Sequence, residues 1–263
     1  MSAITPKPEV PKPEVPKLEV RGVSKNFGSL TAVADVSMRV EHGELRAVIG
    51  PNGAGKTTFF NLITGFFPPT AGDILLDGNN INRVPAAGRV KLGMGRTFQI
   101  TEIFPELTVR ENARIAVETG LGFSLRGWLN RAERQRVADA SDEVMTMANL
   151  TPKADRLVGE LSHGDQRSAE IAMALALKPS LLLLDEPTAG MGDEETYQVT
   201  GLIRRLHRES RYTIVLIEHD MRVVFHLADH ISVLAEGRLL AEGTPAEIAA
   251  NEHVQNAYLG KAE

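Results

Sequence analysis

The chain has 263 residues, 43% hydrophobic and 24% charged, which is ordinary for a globular protein and enough for one large α/β domain or two small ones. Lys plus Arg number 29 against 34 Asp plus Glu, and this net charge of −5 supplies neither the basic excess nor the basic stripe of a nucleic-acid binder. The absence of cysteine excludes disulfides, Cys-ligated zinc and iron–sulfur clusters, and no apolar run approaches the roughly 18 residues of a membrane span. With no apolar signal-peptide core near the N-terminus, a soluble cytoplasmic protein is expected.

Residues 6–20 hold three copies of a five-residue unit, Pro6-Lys-Pro-Glu-Val10, Pro11-Lys-Pro-Glu-Val15 and Pro16-Lys-Leu-Glu-Val20. Alternating prolines oppose both helix and sheet pairing, so residues 1–16 are expected to be a disordered Pro-rich tail, with an ordered domain over 17–263. Short alternating segments at Leu18–Val23 and Val36–Val40 bracket Asn26-Phe-Gly-Ser29, predicting antiparallel strands around a turn. Leu45–Ile49 is an apolar strand, Thr58–Thr64 a helix closed by Gly65 and Pro68-Pro69, and Asp73–Asp77 another short strand. From about Gln99 to Glu160 the pattern is helical, with a long polar–apolar stretch from Arg131 to Leu150. Leu181–Leu184 and Thr213–Ile217 are buried strands flanked by helical sequence, which predicts a parallel sheet covered on both faces.

The chemistry concentrates where these strands end. Gly50-Pro51-Asn52-Gly53-Ala54-Gly55-Lys56-Thr57, followed by Thr58, matches the phosphate-loop pattern G-x-x-x-x-G-K-[ST] between a strand and a helix. Backbone N–H groups must curl around phosphate oxygens there, and side chains would obstruct them; hence the glycines. The following helix points its positive end at the same anion, Lys56 supplies a charge for the β- and γ-phosphates, and the Thr57 hydroxyl can ligate Mg²⁺. Leu181–Leu184 ends in Asp185 and Glu186 at the same sheet edge, where Asp185 can hold Mg²⁺ and Glu186 can polarise water. Ile214–Ile217 ends in Glu218-His219-Asp220, placing His219 within reach of a γ-phosphate or an attacking water. In Leu161-Ser162-His163-Gly164-Asp165-Gln166, Ser162 is a good helix N-cap; alone, that indicates only a capped helix.

Gly50–Thr57, Gln99, Leu161–Gln166, Leu181–Glu186 and His219 occur in the order and rough spacing of an ABC transporter nucleotide-binding subunit, which the chain resembles over about residues 18–260. It is most similar to the ATP-binding subunits of branched-chain (hydrophobic) amino acid uptake systems, through Gly95-Arg-Thr-Phe-Gln99, Leu161-Ser-His-Gly164, Ala189-Gly-Met191 and the ending Glu242-Gly-Thr-Pro…Ala257-Tyr-Leu-Gly260. The resemblance implies a P-loop NTPase core (RecA-like) with an N-terminal antiparallel β subdomain over 17–98 and 166–263, and an inserted α-helical signature subdomain over 99–165.

It also implies roles. ATP and Mg²⁺ would be the ligands: Phe27 would stack on adenine unless it is a core phenylalanine, and Gln99 would touch both Mg²⁺ and the attacking water, beside Thr57 and Asp185 as metal ligands. Glu186, His219 and Gln99 would be catalytic, and Leu161–Gln166 would contact ATP held by a second subunit in a head-to-tail dimer. The partners implied are that second ATP-binding subunit, membrane permeases and indirectly a solute-binding protein, with the chain peripheral at the inner face of the cell membrane.

The sequence departs from the family pattern in three places. His163 and Asp165 replace a Gly and the Gln of the common Leu-Ser-Gly-Gly-Gln signature, and the usual Asp after the strand-end Glu falls at Gly192, with Asp193 one later. An ATPase for lipid or lipopolysaccharide export is the nearest rival. A soluble non-transport ABC ATPase is disfavoured because only 105 residues separate Lys56 from Leu161 and no heptad arm occurs. A P-loop kinase would not need Ser162 or His219.

Overall fold

The computed structural model describes residues 15–97, 103–123 and 128–259. In chain order the elements begin β1 (Leu18–Phe27), β2 (Leu30–Val40), β3 (Leu45–Ile49), α1 (Lys56–Thr64), β4 (Ala71–Leu76), β5 (Asn79–Asn80), α2 (Ala86–Lys91) and β6 (Met94–Arg96). They continue with α3 (Val109–Gly120), α4 (Arg131–Met147), α5 (His163–Ala176), β7 (Leu181–Asp185), α6 (Asp193–Arg208), β8 (Thr213–Ile217) and α7 (Met221–Leu227). The end is a hairpin, β9 (His230–Ala235) and β10 (Arg238–Gly243), then α8 (Pro245–Ala249) and α9 (Glu252–Leu259).

Two sheets result. An antiparallel sheet has the order β2-β1-β4-β5, and a larger sheet the order β10-β9-β3-β8-β7-β6, in which β9, β3, β8, β7 and β6 run parallel and β10 pairs antiparallel at the edge. The expected parallel sheet covered on both faces is present, and its burial follows from period-two geometry. Ala47, Leu182, Leu184, Ile214 and Leu216 face a core shared with α3 to α7, whereas Val48, Leu181, Leu183, Val215 and Ile217 face a second core. That second core contains Phe59, Phe60, Leu62 and Ile63 of α1 and the inner face of the antiparallel sheet. Every position of β3, β7 and β8 is buried because neither face meets water, and these strands are apolar apart from Arg46, Asp185 and Thr213.

Local boundaries differ from the sequence expectation in physically simple ways. Asn26 and Phe27, expected in a turn, continue β1, and Gly28 at φ +60° and Ser29 alone make the connection. The helix expected from Thr58 starts at Lys56, directly after the left-handed Gly55. The expected helix from Arg131 to Leu150 stops at Met147, ahead of Asn149 at φ +59°. Packing of the N-terminal segment is already established at Pro16 and Lys17: both are buried, and Lys17 Nζ lies 2.7 Å from Asp77 Oδ2.

Candidate active site

Because β3, β8, β7 and β6 are parallel and adjacent, their C-terminal ends deliver four segments to one edge of the sheet. Ile217 is opposite Val48 on one side and Asp185 on the other, so Gly50, Glu186 and Glu218 emerge side by side. This is the crevice in which open α/β sheets bind ligands.

The Gly50–Lys56 loop needs its glycines for space as well as for conformation. A Cβ on Gly50 would lie 2.1 Å from the Leu234 carbonyl oxygen, and one on Gly55 (φ +93°) would lie 2.4 Å from that of Ala32. Gly55 caps α1 without a side-chain hydrogen bond, so the first-turn N–H groups are not used up by a capping side chain. Lys56 is buried, and its ammonium donates to the carbonyls of Gly50 (2.7 Å) and Pro51 (2.9 Å). Burial lowers its pKa, and the Glu186 charge opposes that shift. Asn52, Gly53 and Thr57 are exposed, Pro51 and Thr58 half-buried, and Ala54 buried against the core.

Asp185 is buried at the end of β7, and burial pushes its carboxyl above the usual range while the Arg96 guanidinium pulls the other way. Arg96, at the end of β6, lies over the Phe60 ring, reaches Asp185 Oδ2 at 3.3 Å and donates to Asn61 Oδ1 (3.0 Å) and Thr64 Oγ1 (2.9 Å) of α1. Glu186 adopts φ +46°, a left-handed conformation costing a non-glycine residue on the order of 1 kcal/mol. That geometry turns its side chain toward β8, where His219 Nε2 donates to Glu186 Oε1 at 2.7 Å.

The segment Leu161–Gln166 forms the N-terminus of α5. Ser162, exposed, caps the helix by accepting from the Asp165 N–H at 3.3 Å, and its hydroxyl donates to Asp165 Oδ2 at 3.1 Å. Asp165 is turned inward: Lys153 donates to it, as does Gln198 Nε2 at 2.9 Å. Burial raises its pKa, but those hydrogen bonds and the Lys153 charge prevail and hold it below the ordinary range. Its charge is thus neutralised within the chain. His163 is exposed, the Gly164 N–H faces Glu195 Oε1 at 3.4 Å, and Gln166 Nε2 donates to the carbonyls of Val158 and Leu161, each at 3.2 Å.

Asp185, Glu186, His219 and the Gly50–Thr58 loop therefore share one edge, while the Ser162 helix end stands apart on α5. Gln99 lies outside the described residues; Thr97, two positions earlier, still pairs through its N–H with Leu183 O at 2.9 Å. Phe27 is no core residue: it is 47% exposed, edge-on to Phe67 with ring centroids 5.4 Å apart. Asp193 begins α6, exposed and 3.3 Å from Arg222, with Gly192 as the cap.

Sequence reasoning passed over four residues at this edge. They are Arg96; Arg167, which donates to the Asp185 carbonyl and to Glu170; Glu218; and Tyr258. Burial pushes the Tyr258 phenol up to about 12, with the Gly50 backbone acting in the opposite direction. The signals for these residues in the sequence are the Gly95-Arg-Thr run, the Glu218-His219 pair and the ending Ala257-Tyr-Leu-Gly260.

Residues 33–189 match the family model of the ABC transporter, and residues 238–263 that of the branched-chain amino acid ATP-binding cassette transporter. The chain is 42% identical to the high-affinity branched-chain amino acid transport ATP-binding protein BraF of Pseudomonas aeruginosa, over 92% of this chain and 97% of that protein. It is 33% identical to the lipopolysaccharide export system ATP-binding protein LptB of Escherichia coli, over 92% and 96%. Among solved structures, the ADP conformation of MJ1267, an ATP-binding cassette of an ABC transporter, superposes with a TM-score of 0.82 at 28% identity, over 94% of this chain and 99% of that one. These matches show that the chain belongs to the ATP-binding cassette family of ABC transporters.

Proposed function

We propose that the chain binds MgATP at the Gly50–Thr58 loop, hydrolyses it, and thereby drives a membrane importer of branched-chain amino acids or a related small polar solute. The observation that carries the import reading is the match of residues 238–263 to the branched-chain cassette model, joined to 42% identity with BraF against 33% with LptB.

In this reading the loop N–H groups and Lys56 hold the phosphates. Lys56 already sits among oxygen atoms, and exchanging two carbonyls for phosphate oxygens strengthens its hydrogen bonds. The Thr57 hydroxyl, Gln99 and Asp185 would hold Mg²⁺; their donors are all oxygen, as that ion requires, and when bound it neutralises charge developing on the phosphates. Asp185 suits a cation site because it is a buried carboxyl offset by only part of the Arg96 charge. Glu186 orients the attacking water and accepts its proton, and His219, hydrogen-bonded to Glu186, fixes the direction of that carboxylate and presents its imidazole to the γ-phosphate. Phe27, exposed beside Phe67, offers a ring to adenine.

The Ser162 end of α5 supports a dimer. It is a capped helix N-terminus with an exposed hydroxyl and a neutralised acid, suited to a phosphate that its own chain's loop does not deliver. A second ATP-binding subunit, a copy or a paralogue, would present the ATP. An apolar groove of about 500 Å³ between α2, β6, α3 and α5, edged by Phe66, Val90, Ile115 and Met173, suits a cytoplasmic helix of a permease subunit. Among the described residues no helix is long and apolar enough to cross a membrane, so in this reading permeases hold the chain at the inner face of the cell membrane. A solute-binding protein would act on those permeases from the other side.

Affinity purification of the tagged chain from native membranes should recover permeases and a second ATP-binding subunit. Proteoliposomes built from that complex, with its solute-binding protein, should accumulate leucine or isoleucine only with ATP. Recovery of lipid-export subunits instead would overturn the import reading.

A further inference from the structure

We propose that Glu218 is the positioning residue that locks Glu186 and His219 into their mutual geometry, an assignment that rests on the ATPase reading above. Glu218 is 3% exposed at the end of β8, and both its oxygens accept two donors. Oε1 takes the Thr188 N–H at 3.0 Å and the Thr188 hydroxyl at 2.5 Å; Oε2 takes the N–H groups of His219 at 2.9 Å and Asp220 at 3.3 Å. A carboxylate has about four lone-pair positions, and here all four are used.

These partners belong to two different segments. Thr188 lies two residues after Glu186, in the turn leaving β7, whereas His219 and Asp220 open the turn leaving β8. One side chain therefore ties both strand exits together. Glu186 sits between the clamped points: its N–H donates to the Ile217 carbonyl at 2.9 Å, and its carbonyl accepts from Ala189 at 3.2 Å. A left-handed non-glycine backbone persists only where its surroundings over-determine it, and Ile217 and Glu218 supply that constraint from the neighbouring strand. Cut the clamp and the turn carrying Glu186 can relax, so that its carboxylate leaves the His219 imidazole. A displacement of about 1 Å at such a centre costs about 100-fold in rate.

The chemistry singles out informative variants. In Glu218→Gln one end of the side chain becomes an NH₂ group, which must face backbone N–H donors whichever way the amide is turned, so one half of the clamp opens. Thr188→Val removes only one hydroxyl donor and leaves three donors to Glu218; Thr188→Ser keeps the hydroxyl. The wild type and these variants are compared for phosphate release from ATP, for affinity toward a non-hydrolysable ATP analogue by calorimetry, and for the His219 imidazole resonances by NMR.

The expected result is a kcat lowered about tenfold or more in Glu218→Gln and several-fold in Thr188→Val, recovery to within about twofold in Thr188→Ser, and analogue affinity unchanged within about twofold throughout. The His219 resonances should move in Glu218→Gln and Thr188→Val and return in Thr188→Ser. Loss of analogue affinity in proportion to kcat, or wild-type kcat and His219 resonances in both clamp-opening variants, would overturn the assignment. A wild-type chain without ATP hydrolysis would instead overturn the ATPase reading, with the resonances still deciding whether Glu218 sets the geometry.

Discussion

His219 Nε2 lies 2.7 Å from Glu186 Oε1, a hydrogen bond between the exits of two adjacent parallel strands. In the proposed ATPase reading, this pair is the general base and the imidazole that orients it. Glu186→Gln keeps the side-chain volume but cannot take a proton, so turnover should fall by roughly 100- to 10,000-fold while ATP affinity is retained. His219→Ala should lower turnover less, since it frees the carboxylate without removing it. Phosphate release and equilibrium dialysis of ATP check both; normal hydrolysis by Glu186→Gln would overturn the assignment of the base.

In the same reading, Lys56 serves binding rather than proton transfer. Its ammonium is buried among the loop carbonyls, so its replacement by alanine removes a charge-assisted contact from a desolvated position. Such contacts are worth about 1.5–3 kcal/mol, or roughly a 10- to 150-fold change in affinity. Lys56→Ala should weaken ATP binding by that factor in calorimetry, and an unchanged affinity would count against the phosphate-loop assignment.

The parts of this site visible in the sequence are those whose signal is contiguous. Leu181–Leu184 followed by Asp185-Glu186, and Ile214–Ile217 followed by His219, announce buried parallel strands with polar exits. The fold class follows from those runs, because two-sided burial leaves no polar alternation to read. Arg96, Arg167 and Glu218 were opaque for the opposite reason. A charged residue in isolation reads as solvated surface, and their partners (Asp185, the Asp185 carbonyl, Thr188) become neighbours only once β6, β7, β8 and α5 are assembled. Asp165 illustrates the same limit at closer range. Its carboxylate resembles an unwelcome charge at a phosphate contact until Lys153 and Gln198 are seen to hold it inward.

That inward Asp165 makes a pH-dependent contribution to stability whose sign is fixed. Its folded pKa lies below the unfolded value of about 3.9: burial acts upward, but the hydrogen bonds from Lys153, Gln198 and Ser162 and the Lys153 charge outweigh it. The stabilisation is therefore fully present above about pH 4 and disappears as pH falls through the folded pKa. Lys153 is 37% exposed, and water screening limits the effect to about 1 kcal/mol. Asp165→Asn should lower the urea midpoint at neutral pH, with the difference from wild type shrinking below about pH 4. A difference that grows on acidification would contradict the inward pairing.

Arg89 is the buried charge most exposed to a stability test. It is 1% exposed, and its donors all go to backbone carbonyls: Leu62 (2.7 Å) and Ile63 (2.6 Å) from Nη1, Ile81 (2.8 Å) from Nη2 and Val84 (2.9 Å) from Nε. Burial lowers its pKa to about 10, so it remains a cation at neutral pH. Leu62 and Ile63 lie in the last turn of α1, where the Leu62 carbonyl also accepts from the Gly65 N–H at 3.2 Å and where the helix dipole favours a cation. Arg89 therefore secures the far end of the helix that opens at the phosphate loop. Arg89→Met fills much of the same volume but leaves four buried carbonyls without these donors, at a cost of about 3 kcal/mol or more. For a chain of this size that corresponds to a melting temperature lower by about 6 °C. Arg89→Lys, with three donors on one nitrogen, should fall in between, and calorimetric melts indistinguishable from wild type would show that the α1 terminus is held by something else.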